Sequence, residues 1–178
     1  AEPVLGTMMQ SVGEAMAIGR TFPESLQKAL RSLETGRGGL NCDPAEAELD
    51  ERSLDDLVLG AAVATPDRVF LVEAALRRGA SVERLHETTA IDPWFLDEFQ
   101  RIVDERARLA GIGGSAAMTR SDWRRAKRLG FGDAQLAHLW SEPYAEVRAA
   151  RLAAGVAITY KTVDTCAAEF VAETPYHY

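Results

Sequence analysis

The sequence predicts an all-α fold, a multi-helix domain with short non-helical segments at its two ends. Three observations carry this expectation. Across residues 51–155 apolar residues recur three and four apart, the spacing of one face of a helix. Cap-forming residues and glycines punctuate that stretch, and the connections they leave are short, which favours antiparallel neighbours in a bundle. No alternating strand pattern of useful length occurs before Ala157.

Taken in order, the first helix begins after Thr21. Thr21 and Glu24 form a capping box, and Pro23 sits in the first turn, where its missing N–H costs little. Leu26, Ala29, Leu30 and Leu33 make its apolar face and Gly36 is its expected stop. Residues 36–50, with Gly36, Gly38, Gly39, Asn41-Cys42-Asp43-Pro44 and an acidic run, lack apolar periodicity and read as a linker at a domain boundary. Ser53 caps a helix bearing Leu54, Leu57, Val58 and Ala61. Thr65-Pro66-Asp67 opens a helix with Val69, Phe70, Val72, Ala75 and Leu76, closed by Gly79. Ser81 caps a short helix through Leu85. Asp92-Pro93 starts the longest, with Phe95, Leu96, Phe99, Ile102, Val103 and Leu109 on its buried side and Gly111 after it. Thr119 caps a helix with Trp123, Ala126 and Leu129, ended by Gly130; Asp133 opens another with Leu136, Ala137 and Leu139. Ser141-Glu142-Pro143 opens the last, with Val147, Ala150 and Leu152 before Gly155. Residues 163–170 read as an extended piece, a polar turn and a short small-residue helix. Tyr160, Phe170, Tyr176 and Tyr178 make the closing segment too aromatic for a disordered tail, so it is expected to be part of something larger.

Composition narrows the function classes. With 178 residues and 47% hydrophobic content the chain can bury a real core. A net charge of −7 makes the whole a poor default binder of nucleic acid. No apolar run approaches the roughly 18 residues of a membrane span. Cys42 and Cys166 lie far apart, without a CxxC or a histidine at ligand spacing, and read as reduced thiols of a cytoplasmic protein.

Neither a catalytic nor a metal site is predicted. His86, His138 and His177 are isolated in sequence, and Gly38-Gly39 and Gly113-Gly114 lack the strand-before, helix-after context of a phosphate loop. Cys166 has no nearby histidine to activate it, and Glu14 stands alone in a glycine-framed turn. Two binding readings remain. Arg120, Arg124, Arg125, Lys127 and Arg128 lie on one helix that a Gly-Phe-Gly turn joins to another, as in a helix-turn-helix DNA-binding unit; a solvated face or a contact with an acidic neighbour is the alternative. Leu54, Leu57 and Val58 form an apolar stripe that serves either the chain's own core or a symmetric partner.

Two stretches carry a family resemblance. Y-K-T-V-D-T-C-A-A-E-F at 160–170, followed by an aromatic-rich segment, resembles the exit from the helical middle domain of the carbamoyl phosphate synthetase large subunit. S-V-G-E-A-M-A-I-G-R-T at 11–21 with S-L-Q-K-A-L-R-S-L-E at 25–34 is similar to the end of that subunit's first ATP-grasp half; Gln10 stands where lysine is usual and Ala15 where valine is. K-R-L-G-F-G-D-A-Q-L-A at 127–137 supports the match in between.

The resemblance implies the following organisation: 1–35 as the end of the carboxyphosphate half, 36–50 as linker, 51–155 as the helical oligomerisation domain, and 156–178 as the connector toward the carbamoyl phosphate half. It implies a parent ligase that makes carbamoyl phosphate from bicarbonate, glutamine-derived ammonia and two ATP, for pyrimidine and arginine synthesis. Magnesium or manganese and a small glutaminase subunit belong to that parent. The piece itself would be inactive, without cofactor, and would join subunits through Leu54, with Leu57 and Val58 beside it on the same helix. Met9 would lie against the tunnel that carries the unstable intermediate, where an adaptable apolar side chain suits a passage that excludes water. Its partners would be the adjacent ATP-grasp domains and further copies of itself, not nucleic acid or membrane.

Overall fold

A computed structural model describes residues 4–9 and 14–178. Ser11, Val12 and Gly13, which open the second resemblance, lie outside the described residues, as does Gln10. The described residues form an all-helical domain: α1 (Phe22–Ser32), α2 (Glu46–Asp50), α3 (Leu54–Ala62), α4 (Arg68–Arg77), α5 (Val82–Thr89), α6 (Pro93–Ile112), α7 (Arg120–Arg128), α8 (Asp133–Trp140) and α9 (Tyr144–Ala153), with a 3₁₀ turn at Ser115–Ala117. The α3 helix packs on α4 and α5, and both of these pack on α6, the long central helix; α1 also lies on α6, and α8 pairs with α9. Leu57, Val72, Leu85, Leu96, Ile102, Leu109, Trp123, Leu136 and Val147 are all buried in one continuous core.

Local chemistry sets most of the boundaries. The side chains of Ser53, Ser81, Asp92 and Thr119 each accept a backbone N–H of the first turn of α3, α5, α6 and α7, satisfying donors that the helix leaves unpaired. At α1, Thr21 accepts from the Glu24 N–H at 3.5 Å, and the Glu24 carboxylate reaches back to the Arg20 N–H at 3.0 Å, one residue before the cap. Several ends differ from expectation. The α1 helix stops at Ser32, well short of Gly36. The α5 helix continues past Leu85 to Thr89, and Ala90 takes the left-handed conformation that ends it. The α6 helix runs through Gly111, and Gly113, at φ +80°, is the true stop.

The segment 36–50 is not a flexible linker. Leu40, Asn41, Cys42, Asp43 and Glu46 are buried, and its last part forms α2, which lies on α4. Backbone polar groups taken from water need partners, and side chains distant in sequence supply them. Gln27 Oε1 accepts the Leu40 N–H at 3.3 Å. The Gln135 amide donates to Gln27 Oε1 and to the Asn41 carbonyl, both at 2.8 Å, and its oxygen accepts the Gly132 N–H at 2.8 Å. Asn41 in turn donates to Glu73 on α4 at 2.9 Å, and the Cys42 N–H to Glu46 at 3.0 Å. The Arg37 guanidinium lies 3.8 Å over the Phe70 ring and donates to Asp43 at 2.9 Å. Gly39 is required by closeness: a Cβ there would stand 2.6 Å from both Gln135 Nε2 and Gln27 Oε1. Glycines that read as punctuation therefore admit the segment into the core.

The closing segment also departs from the expected short helix. Lys161 and Tyr178 exchange two backbone hydrogen bonds of 3.0 Å, and the Val163 N–H donates to the Tyr176 carbonyl at 2.9 Å, with Thr162 and His177 as an isolated antiparallel bridge. Between them Asp164 accepts the N–H groups of Cys166 at 2.9 Å and Ala168 at 2.8 Å, and Ala167 and Ala168 take left-handed φ. A carboxylate that binds the backbone two and four residues on stabilises a turn in place of a helix.

Two substitutions of the same kind should have opposite signs. Gly39→Ala collides with both amide side chains and is expected to cost about 2–4 kcal/mol in urea unfolding. Gly111→Ala, on an exposed turn of α6 with open space around it, should gain about 0.5–1 kcal/mol by helix propensity. A Gly39→Ala protein as stable as the parent would refute the buried placement of residues 38–43.

Candidate functional site

The titratable clusters of this chain are matched ion pairs that hold helices together. Glu105 on α6, fully buried, accepts Arg108 through two bonds of 2.7 and 2.9 Å and Arg125 of α7 at 2.6 Å. Arg108 also reaches Asp122 at 2.6 Å. Asp133 at the start of α8 takes Arg151 of α9 in a two-pronged pair at 2.9–3.0 Å, and Lys127 of α7 as well. Burial would raise the Asp133 pKa; hydrogen bonds from Arg151 and Lys127 outweigh it and hold the carboxyl below its ordinary range. Burial lowers Lys127, with Asp133 opposing. Glu46 joins Arg106 at 3.0 Å, and Glu73 joins Arg77 at 3.3 Å. Burial raises Glu73 above the usual carboxylate range against the pull of Arg77 and Asn41.

These pairings draw on the basic cluster that suggested DNA binding. Of the five basic residues of α7, Arg125 and Lys127 are committed to Glu105 and Asp133, leaving Arg120, Arg124 and Arg128 exposed on the surface. In a helix-turn-helix unit the second helix presents its first turn to base edges. Here that helix is α8, whose first turn carries buried, acidic Asp133 and buried Gln135, with Leu136 and Ala137 behind them. It is a core helix.

The isolated candidates do not converge. His86 Nδ1 lies 2.8 Å from the Ile91 carbonyl, His138 stands 3.8 Å from Glu46, and His177 belongs to the terminal bridge. Among the described residues no group of three or more His, Cys, Asp or Glu is placed to hold a metal ion. Nor, among them, is any helix long and apolar enough to cross a membrane. Burial pushes the Cys42 thiol up to about 12, Arg106 opposing, so it is inert at neutral pH. Cys166 lies partly exposed in the Asp164 turn, and Glu14 is exposed beside α1.

Exposed apolar side chains occur along the closing segment (Ile158, Tyr160, Phe170, Val171 and Tyr176), on α9 (Tyr144 and Leu152), and in two further places on the helices that open the domain. The first is the outer side of α3. Leu57 and Val58, read as interface candidates, are 0% and 2% exposed and pack in the chain's own core, so they offer nothing to a partner. The helix period places them on the inward stripe with Ala61. Leu54 is half-buried against the same core, while Leu59, off the stripe, is 67% exposed. The chain before α1 comes to the end of this helix: the Leu5 N–H donates to the Ala64 carbonyl at 2.7 Å, and Val4, Leu5 and Val63 are exposed. Met8 and Met9 follow, Met9 90% exposed and lining nothing within the described residues. The second place is an aromatic step where α1 meets the start of α6. Phe22 lies 5.6 Å from Trp94 and 5.3 Å from Phe95, edge to face, with Phe99 behind at 6.3 Å. Phe95, expected on the buried side, is 42% exposed and Trp94 is 55% exposed. The sequence reading missed Leu59 and Trp94. The signal for both was the same: a large apolar residue out of phase with the stripe of its own helix.

A family model described as carbamoyl-phosphate synthetase large chain, oligomerisation domain, matches residues 14–155. The whole chain is 49% identical to the carbamoyl phosphate synthase large chain of Synechocystis sp., covering 16% of it. It is 48% identical over its full length to the arginine-specific large chain, chloroplastic, of Oryza sativa subsp. japonica, covering 15% of that protein. It is 46% identical, again over its full length, to the carbamoyl phosphate synthase large chain, N-terminal section, of Methanopyrus kandleri, covering 33% of it. The chain thus spans about one sixth of the length of the full large chains it matches.

The thiols give a check on the site description. Cys42 is 1% exposed and burial holds its thiol protonated, so a disulfide reagent should titrate Cys166 alone in the native protein and both cysteines in urea. Two fast equivalents without denaturant would contradict the burial of Cys42.

Proposed function

The chain belongs to the carbamoyl phosphate synthase large-chain family, and from that premise we propose that it is the non-catalytic assembly part of such a large chain, joining catalytic portions and associating with further copies of itself. The observation that carries this reading is the division of α3 into two faces. Leu57, Val58 and Ala61 complete the core, while Leu59 stands in solvent on the opposite side, an apolar side chain with no use inside the fold. A symmetric contact needs one self-complementary patch, and a helix whose inner side is already packed is a rigid platform for it. Leu54, half-buried at the start of the same helix, would lie at the edge of that patch.

Around this part, the full-length protein would be a ligase making carbamoyl phosphate from bicarbonate, glutamine-derived ammonia and two ATP, with magnesium or manganese held elsewhere in the chain. The rice relative's name ties one such protein to arginine. A separate glutaminase subunit would supply the ammonia. The exposed Met8-Met9 segment would form a wall of the internal passage only once a catalytic half covers it. As in the Methanopyrus relative, where the counterpart of this chain makes up a third of an N-terminal section, we infer that residues 1–178 accompany the N-terminal catalytic portion.

Sedimentation velocity over a concentration series tests the assembly claim. Wild type should associate, and Leu59→Glu should weaken association roughly 10- to 100-fold by placing a charge in the desolvated centre of the contact. At concentrations where both proteins are monomeric its unfolding midpoint should stay close to that of wild type, since Leu59 is largely exposed and outside the core. Identical sedimentation of the two proteins would remove α3 as the interface. Leu54→Glu is the weaker test, because it disturbs core packing as well.

A further inference from the structure

Where the 36–50 segment meets α4 and α6, three buried polar atoms lie together without a protein partner among the described residues: Asn41 Oδ1, Arg77 Nη2 and Arg106 Nε. Two carboxylates gather them. Asn41 Nδ2 donates to Glu73 Oε1 at 2.9 Å and Arg77 Nε donates to the same oxygen at 3.3 Å, so the amide and the guanidinium converge on one point. Arg77 Nη1 is taken by Asp50 at 2.6 Å. The unpaired Nη2 shares with Nε the edge of the planar fork that faces Glu73. Arg106 is turned the same way toward Glu46: its Nη2 donates to Glu46 Oε1 at 3.0 Å, and its unpaired Nε shares that edge. Glu46 Oε2 takes the Cys42 N–H at 3.0 Å, which brings Arg106 beside the neighbour of Asn41. The two halves act on one another. Burial raises the Glu73 carboxyl, Arg77, Asn41 and Arg106 oppose it, and Glu46 adds to the rise.

The chemistry of the three atoms selects their guest. Two are donors and one is an acceptor, so the guest must accept and donate at once. An anion would be buried against Glu46 and Glu73 and would leave Asn41 Oδ1 facing like charge. A cation would be set against the N–H groups of two guanidiniums. Each carboxylate already has its arginine, Glu73 with Arg77 and Glu46 with Arg106, so the joint calls for no further charge. Leaving a buried donor or acceptor unpaired costs the desolvation of that group. Water in a polar interior makes about three hydrogen bonds, the number these atoms offer.

We propose that this joint is a binding site for an ordered internal water, which accepts from Arg77 Nη2 and Arg106 Nε and donates to Asn41 Oδ1. Its second hydrogen has the Glu46 and Glu73 carboxylates within the same cluster. Asn41 is then held at both its oxygens, the backbone carbonyl by the Gln135 amide and the side-chain oxygen by water. Through that water the 36–50 segment reaches α4 and the central helix α6 by hydrogen bonds as well as by packing.

A crystal structure of the 178-residue chain, at a resolution that shows ordered solvent, tests the site. One peak is expected within about 2.7–3.2 Å of Asn41 Oδ1 and of Arg77 Nη2 or Arg106 Nε, as well ordered as the side chains around it. No peak there would overturn the proposal. So would a direct hydrogen bond from either guanidinium to Asn41 Oδ1, which would make the joint self-sufficient. Crystals grown with bromide in place of chloride separate water from a halide: no anomalous scattering is expected at the peak, and a strong signal would replace the water by an anion. In solution, rotating-frame cross-peaks of dipolar sign are expected between water and the Asn41 Hβ protons. Their absence from spectra in which the Asn41 side chain is assigned would show that no water resides there.

Discussion

The paired amides of Gln27 and Gln135 decide whether this chain is one body or two. Gln27 stands on α1 and Gln135 on α8, and their 2.8 Å hydrogen bond closes over the strand of chain from Gly38 to Asp43. Each amide spends its donor and acceptor on backbone that would otherwise be buried without partners: the Leu40 N–H, the Asn41 carbonyl, the Leu129 carbonyl and the Gly132 N–H. The two amides give these backbone groups their partners, although the neighbouring Asn41 Oδ1 stays buried without one among the described residues. Removing either side chain would leave several orphaned groups together, and α1 would lose its main polar tie to the helical body. The first helix is thereby locked to the helical body that carries α3.

The ion pairs extend the same logic to the other joints. Glu73 and Glu105 are almost fully buried and each meets an arginine. Asp133 ties α7, α8 and α9 through Lys127 and Arg151. Burying such charges gains little net stability over an apolar core. Their value lies in geometry, because a guanidinium fork and a carboxylate fit in few arrangements. The locally basic α7 thus has a structural use. Two of its cations, Arg125 and Lys127, pair with carboxylates of the neighbouring helices, Glu105 and Asp133.

Features set by neighbours in sequence were legible before the structure. Ser53, Ser81, Asp92 and Thr119 announced their helices because a cap needs only its own first turn. The inward stripe of α3 was visible as an apolar pattern, but whether it met the core or a partner was not, since periodicity gives a face and not its occupant. The 36–50 segment was misread for the same reason in reverse. Glycine marks both freedom and closeness, and the closeness at Gly39 is to Gln135, almost a hundred positions on. The Asp164 turn was misread because Cys166-Ala167-Ala168-Glu169 has helical composition. Its register is fixed instead by the backbone pairing of Lys161 and Val163 with Tyr178 and Tyr176. The family was legible because its signature stretches are contiguous, whereas the surfaces that give the family its architecture are assembled from separate elements.

The placement of exposed apolar residues then follows from the helix period and the core it feeds. Along α6, Leu96, Phe99, Ile102, Val103 and Leu109 take the buried stripe, so the adjacent Trp94 and Phe95 are forced toward its edge. Along α3, Leu57, Val58 and Ala61 do the same and force Leu59 outward. On α3 the core is complete without Leu59, whereas on α6 Trp94 and Phe95 keep one edge packed on Phe22 of α1 and leave the rest in solvent. An isolated domain would gain solubility from polar side chains at such positions. Large apolar side chains occupy both positions all the same, on two different faces with different charge around them. With α1 tied to the body through Gln27, whose amide donates to the Leu129 carbonyl and accepts from Gln135, the exposed side chains of α3 and of the α1–α6 step are held on one rigid frame.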